Sequence, residues 1–240
     1  LTPTDFERYY GGYANSVLWP LFHERLHAMD YRDEFRQSYE EVNAYFADRL
    51  AHLLQPGDMI WVQDYHLIPL AARLRARGVD APIGFFLHIP FPPFDVYRAL
   101  PWCERLLDDL VAYDLVGLQT ATDARNFADA LQGVLGASVE NGSSRARLGE
   151  REVRFEAFPI GIDVAATARS ARTNRDTEAG ERLTRAMRGR QLGVGGDRLD
   201  DTKGLVERFH AYERFLERYG GHFDDEMIYI QITAPSRQDV

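Results

Sequence analysis

One cysteine, no long apolar run and a shortage of positive charge narrow what this 240-residue chain can do. Cys103 is the only thiol, so no intrachain disulfide can form and no cysteine cluster is available for zinc. No apolar stretch approaches the roughly 20 residues that span a bilayer. The opening residues, Leu1-Thr2-Pro3-Thr4-Asp5, have neither the basic nor the apolar region of a secretory leader. Lys and Arg number 28 against 37 Asp and Glu, a net charge of −9, which opposes non-specific binding to nucleic acid. Catalytic signatures are missing too. There is no P-loop, no GxSxG and no Asp-x-Asp pair for a metal-bridged sugar nucleotide.

What remains is an ordinary globular composition, 45% hydrophobic and 27% charged. The length suits one large domain or two small ones. A cytoplasmic protein acting on small molecules is expected. The chain reaches Phe6-Glu7-Arg8-Tyr9-Tyr10 with no strand before it. An α/β domain usually opens on a strand, so a preceding strand is expected to be missing.

Strand and helix patterns then alternate. Residues 13–29 read as a helix, followed by a clearer one whose apolar face is Val42, Phe46, Leu50 and Leu53. Pro56-Gly57-Asp58 ends it, and Met59-Ile60-Trp61-Val62 reads as a short buried strand. Helical spacing returns over 67–77, a strand over 83–88, a helix over 100–113, a strand over 114–118, a helix over 121–135 and a strand over 151–158. This alternation predicts a parallel sheet covered by helices. After Asp163 the composition turns to Ala, Arg, Thr and Glu, expected as a solvated helix pair or a loose connector. A helix over 205–219 and a strand over 227–233 follow. The expected division is an N-terminal domain, 1–163, and the beginning of a second, 164–240.

The stretch Ile83-Gly84-Phe85-Phe86-Leu87-His88-Ile89-Pro90-Phe91-Pro92-Pro93 organises the rest. A buried strand that ends on an imidazole and meets three prolines at once cannot continue its ladder. It delivers His88 to the C-terminal sheet edge, where open α/β sheets bind ligands. Asp64 also follows a strand, so the same edge would hold both; an Asp and a His there can bind sugar hydroxyls or act in acid–base chemistry. The plainer role for Asp64 is capping the next helix. Arg198 and Lys203 flank a strand-to-helix junction and suit a diphosphate, or simply decorate a capped surface helix. Gly193-Val194-Gly195-Gly196 is a weak candidate for a phosphate-cradling loop. Tyr9, Tyr10, Tyr13 and Trp19 with Asn15 form an aromatic cluster, either a sugar pocket or core. Trp61 and Trp102 are expected in or near the core, and His66 in a structural role. Arg237, after Pro235-Ser236, is placed to reach a phosphate.

Together these segments resemble the trehalose-6-phosphate synthase family, retaining glycosyltransferases of GT-B architecture. The resemblance rests on Tyr9-Tyr10 through Trp19-Pro20, Trp61-Val62-Gln63-Asp64-Tyr65-His66-Leu67, the Ile83–Pro92 string, Asp114–Thr120 and Pro159–Asp163. Arg198-Leu199-Asp200, Lys203-Gly204 and Pro235-Ser236-Arg237 extend it. It implies an α/β chain with one Rossmann-like domain on the acceptor side and the start of a second, donor domain. It implies glucose transfer from UDP-glucose, or another nucleoside-diphosphate glucose, to glucose-6-phosphate, with no metal or other cofactor. By motif position, Tyr10, Trp19 and Arg237 would bind the acceptor, Asp64 its hydroxyls, His88 the donor glucose, and Arg198 and Lys203 the diphosphate. A homo-oligomer is compatible with this reading.

Two departures stand out. Asp201 occupies a position where the family has Tyr, and glycines interrupt the strand before Arg198. At about 6 Å from a diphosphate, Asp201 would cost roughly 3 kcal/mol per unit charge. An inactive fragment, a non-catalytic sugar-phosphate or partner-binding module, or a synthase with another acceptor are the alternatives. The family's upstream glycine-rich loop and downstream donor-domain residues are expected to lie outside this chain.

Overall fold

The computed structural model describes residues 1–234 except 141, 176, 188, 201–202 and 224–226, and leaves the side chains of 221–223 out of the description. The chain divides into two compact units, Leu1–Ile160 and a second that begins at Gly161.

In the first unit the chain opens with α1 (Pro3–Phe6), capped by Thr2 and Asp5 in a reciprocal pair of hydrogen bonds. It runs on through a wide π-helical segment, Glu7–Leu18, into α2 (Trp19–Phe22). The helix stops at Phe22 rather than 29, and Glu24 takes a left-handed φ of 58°. Next come α3 (Asp33–Ala51), β1 (Ile60–Gln63), a 3-10 turn (Tyr65–Leu67) and α4 (Leu70–Arg75). The unit continues with β2 (Ile83–Phe86), α5 (Phe94–Tyr97), α6 (Cys103–Leu110), β3 (Leu115–Leu118) and α7 (Ala121–Leu135). It closes on β4 (Ser138–Val139), β5 (Arg145–Leu148) and β6 (Arg151–Ala157).

The strands form one sheet in the order β1-β2-β3-β6-β5-β4. The first four are parallel, as the alternation predicts. β4 and β5 add an antiparallel edge, so the sheet is mixed. Apolar residues of the parallel strands, among them Ile83, Phe85, Val116 and Phe155, bury in a core shared with Leu18, Phe22, Tyr39, Leu107 and Phe127.

Two expectations about burial are corrected. In α3 the buried face is Ser38, Tyr39, Val42, Asn43 and Ala47, whereas Phe46 is 40% and Leu53 70% exposed. The true stripe includes small and polar side chains, which an apolar count misses. Trp61 and Trp102 are 71% and 62% exposed, not core. Trp61 alternates outward on β1 and lines an apolar groove with Met59, Gly84, Leu115, Phe158 and Ile160. Trp102 caps α6 at a left-handed φ of 64°, with the Arg36 guanidinium 5.4 Å from its ring.

In the second unit α8 (Val164–Arg175) and α9 (Glu178–Met187) carry no buried residue, the solvated helix pair of the two alternatives. β7 (Gln191–Arg198) and β8 (Met227–Ala234) pair in parallel around α10 (Leu205–Phe223). Gly193-Val194-Gly195-Gly196 lies inside β7, so it is not a loop. Gly193 and Gly195 make room for cross-strand side chains. A Cβ on Gly195 would clash with the Tyr229 hydroxyl and with Gln231 Oε1. No helix among the described residues is long and apolar enough to cross a membrane.

Asp109 on α6 is only 7% exposed, and burial pushes its carboxyl up to about 6 despite Arg73 and Arg105 nearby. Between the unfolded value, 3.8, and about 6 the folded chain holds a proton that the unfolded chain has lost. Stability is therefore fully present below the lower value and falls as pH rises through the higher one. Asp109→Asn is expected to stabilise the chain by about 3 kcal/mol at pH 7, with the gain vanishing near pH 4. Urea unfolding at both pH values checks this; an equal gain at both would contradict it.

Candidate active site

The C-terminal edge of the parallel strands brings Asp64 and His88 together. Asp64 follows β1 and its main-chain N–H donates to the Phe86 carbonyl at 2.8 Å, one pairing beyond the last β1–β2 register position. His88 stands two residues past β2, and the preceding Leu87 N–H donates to the Gly117 carbonyl. Asp64 Oδ1 accepts from the main-chain N–H of His88 at 3.2 Å and of Tyr65 at 3.0 Å. The Asp thus takes the capping role, on a 3-10 turn, and also contacts the main chain of His88. No hydrogen bond among the described residues engages its other oxygen.

Asp64 takes φ 71° and ψ 166°. That region is close to glycine-only and costs of order 1–3 kcal/mol for a side-chain-bearing residue. Something must hold it there, and the hydrogen bonds of the next residues show what. The Tyr39 hydroxyl donates to the Tyr65 carbonyl, Tyr9 and Asn43 donate to the His66 carbonyl, and Tyr113 donates to the Leu67 carbonyl. The Tyr65 hydroxyl in turn donates to Asn15 Oδ1 at 2.8 Å. Three buried phenols and one amide therefore hold every carbonyl of the turn after Asp64. Burial pushes the Tyr9, Tyr39 and Tyr113 phenols above their usual range, so each stays a neutral donor.

The proline-rich loop is fixed as firmly. Phe91 is buried against Phe22, Tyr97 and Phe127. Its N–H donates to Asp123 Oδ1 and its carbonyl accepts from Asn126, both on α7. Asp123 also completes the cap of α7 with Thr120. His88 is exposed at the start of this anchored loop. Its Nε2 lies 2.7 Å from Gln63 Oε1, a contact that no sequence signal singled out beyond the adjacency of Gln63 to Asp64.

Tyr10 and Trp19 join the same neighbourhood. Tyr10 stacks on His66 with centroids 5.2 Å apart, and the Trp19 ring lies 5.9 Å from that of Tyr65. Both are partly buried, while Tyr9 and Tyr13 are core. His66 has its structural place, through its carbonyl and its stacking.

In the second unit Arg198 is the last residue of β7 and is paired with Ala234. Lys203 is exposed two residues before α10, with its N–H on the Asp200 carbonyl. The two cations thus occupy the strand-to-helix junction expected of them. Lys203 is the only lysine among the 28 basic residues. Arg237 and Asp201 lie outside the described residues.

Comparison with known proteins matches this arrangement along its whole length. The curated trehalose-6-phosphate synthase of Sinorhizobium fredii is 42% identical over 240 residues, covering 100% of this chain and 51% of that protein. The crystal structure of an alpha,alpha-trehalose-phosphate synthase (UDP-forming) from Burkholderia xenovorans in complex with glucose-6-phosphate superposes with a TM-score of 0.95. It is 39% identical and covers 100% of this chain and 53% of that one. An E. coli structure bound with UDP-2-fluoro glucose gives a TM-score of 0.92 at 40% identity, covering 100% of this chain and 53% of that one. The α/β, GT-B-type fold class expected from the sequence is the one these structures share. The chain spans about half the length of the curated relatives it matches. The model of glycosyltransferase family 20 matches residues 1–240, and the chain belongs to that family.

Proposed function

We propose that this chain forms part of an α,α-trehalose-phosphate synthase that transfers glucose from UDP-glucose to glucose-6-phosphate with retention. The observation that carries the reading is the Asp64–His88 pair, joined at the C-terminal edge of a parallel sheet in a member of family 20. The unengaged oxygen of Asp64 would accept from acceptor hydroxyls, and His88 would contact the donor glucose. Tyr10, Trp19 and Arg237 would hold the acceptor, chiefly at its phosphate. Arg198 and Lys203 would neutralise the diphosphate as the bond from the anomeric carbon to UDP breaks. The acceptor hydroxyl attacks from the face that the leaving group departs and gives its proton to the departing phosphate oxygen, so no enzyme nucleophile is used. Positioning and charge stabilisation then supply the rate. The reading invokes no metal and places the reaction in the cytoplasm.

The test is a chimera in which residues 1–240 replace the matching half of the Sinorhizobium fredii relative. Mixed with UDP-glucose and glucose-6-phosphate, it is expected to release UDP and form the phosphorylated disaccharide. Lys203→Ala is expected to lower kcat/KM for UDP-glucose by about 10²-fold. Binding of glucose-6-phosphate with neither UDP binding nor product would overturn the proposal in favour of a binding module.

A further inference from the structure

Two consecutive residues at the end of β1 grip His88 at both ends. Asp64 holds its main-chain N–H, and Gln63 Oε1 lies 2.7 Å from its Nε2. Gln63 is paired in register with Phe86, whose ring meets the imidazole edge-on at 4.8 Å between centroids. The ring is thereby restrained from two sides as well as through its backbone.

The bond to Gln63 has a chemical consequence. An amide oxygen only accepts, so Nε2 must carry the proton. A neutral imidazole protonated there keeps its lone pair on Nδ1. No hydrogen bond among the described residues reaches Nδ1. We infer that Gln63 is a positioning residue that fixes His88 as the Nε2–H tautomer and leaves Nδ1 as an acceptor for a hydroxyl of the bound sugar. The sugar contact rests on the proposed glucosyl transfer; the tautomer does not.

The experiment reads the tautomer directly. The ¹⁵N-labelled 240-residue chain is observed without substrate by two-bond imidazole correlation, at about pH 9, well above the usual imidazole range. The His88 signals are identified by their loss in His88→Gln. The parent is expected to show Nε2 protonated and Nδ1 bare. Gln63→Glu, still an acceptor, should keep that state. Gln63→Arg, a donor only, should invert it, and Gln63→Ala should give a mixture. Gln63 is exposed, and far-UV circular dichroism confirms that each variant is folded.

In the chimera, Gln63→Glu should transfer within about threefold of the parent and Gln63→Arg about tenfold or more below it. A parent with Nδ1 protonated, or a tautomer unmoved across the three variants, would overturn the role of Gln63. A moved tautomer with unchanged rates would overturn the sugar contact alone. Loss of transfer in every chimera, parent included, would instead count against the proposed function.

Discussion

Asp64→Gly is expected to slow glucosyl transfer by about 10²–10³-fold, yet to leave the fold more stable than Asp64→Ala does. Both changes remove the carboxylate that holds the His88 N–H and, in the proposed reaction, an acceptor hydroxyl. Both also remove the cap on Tyr65. They differ in the backbone. At φ 71° and ψ 166° alanine keeps the strain and glycine does not. The difference should be about 1–2 kcal/mol in favour of glycine, read as a shift in urea midpoint. Equal stability of the two variants would mean that the backbone at 64 is relaxed, and the link drawn between strain and site would fall. Near-parent transfer by either variant would remove Asp64 from the site.

The second large effect is on the fold. Tyr39→Ala is expected to cost about 4 kcal/mol, because the ring is 1% exposed and packs on both Tyr9 and Tyr13. Tyr39→Phe separates packing from hydrogen bonding. It keeps the ring and leaves the buried Tyr65 carbonyl without its phenol donor. The expected cost is about 1–2 kcal/mol. Because that carbonyl lies one residue after Asp64, transfer in the chimera should also fall by about tenfold. Chemical unfolding of the two variants, with the transfer rate of Tyr39→Phe, checks both parts. A Tyr39→Phe variant with parental stability and rate would contradict the role given to the phenols.

The sequence made the strand-end site readable because its signals are local. An apolar run that stops on His88 and turns into prolines needs no partner to be interpreted, and neither does an Asp directly after β1. The parallel strands were readable for the same reason, since β1, β2 and β3 are short runs of mostly apolar side chains and β6 alternates charged with apolar ones. What escaped depends on contacts far apart in the chain. Tyr9 reads as sugar pocket or core and nothing singles out Tyr39 or Tyr113; only the fold shows that the three hydroxyls converge on three consecutive carbonyls. β5 escaped because Arg145-Ala146-Arg147-Leu148 buries a single side chain, Ala146, and leaves its arginines in solvent. The buried face of α3 was shifted because Asn43 and Ser38 carry little apolar weight yet lie inside. The glycines of β7 resembled a phosphate loop because a bulky cross-strand residue such as Tyr229 leaves no mark at the position that accommodates it.

The proposed site makes Asp64 and His88 one unit, bonded through Oδ1 and a main-chain N–H. The most direct test is a double-mutant cycle on product formation by the chimera, using Asp64→Asn, His88→Ala and the pair together. Residues that act as one unit lose their effect once, so the double variant is expected to be about as slow as the slower single one. Losses that multiply, or a double variant that transfers glucose at the parental rate, would contradict a shared site at this sheet edge.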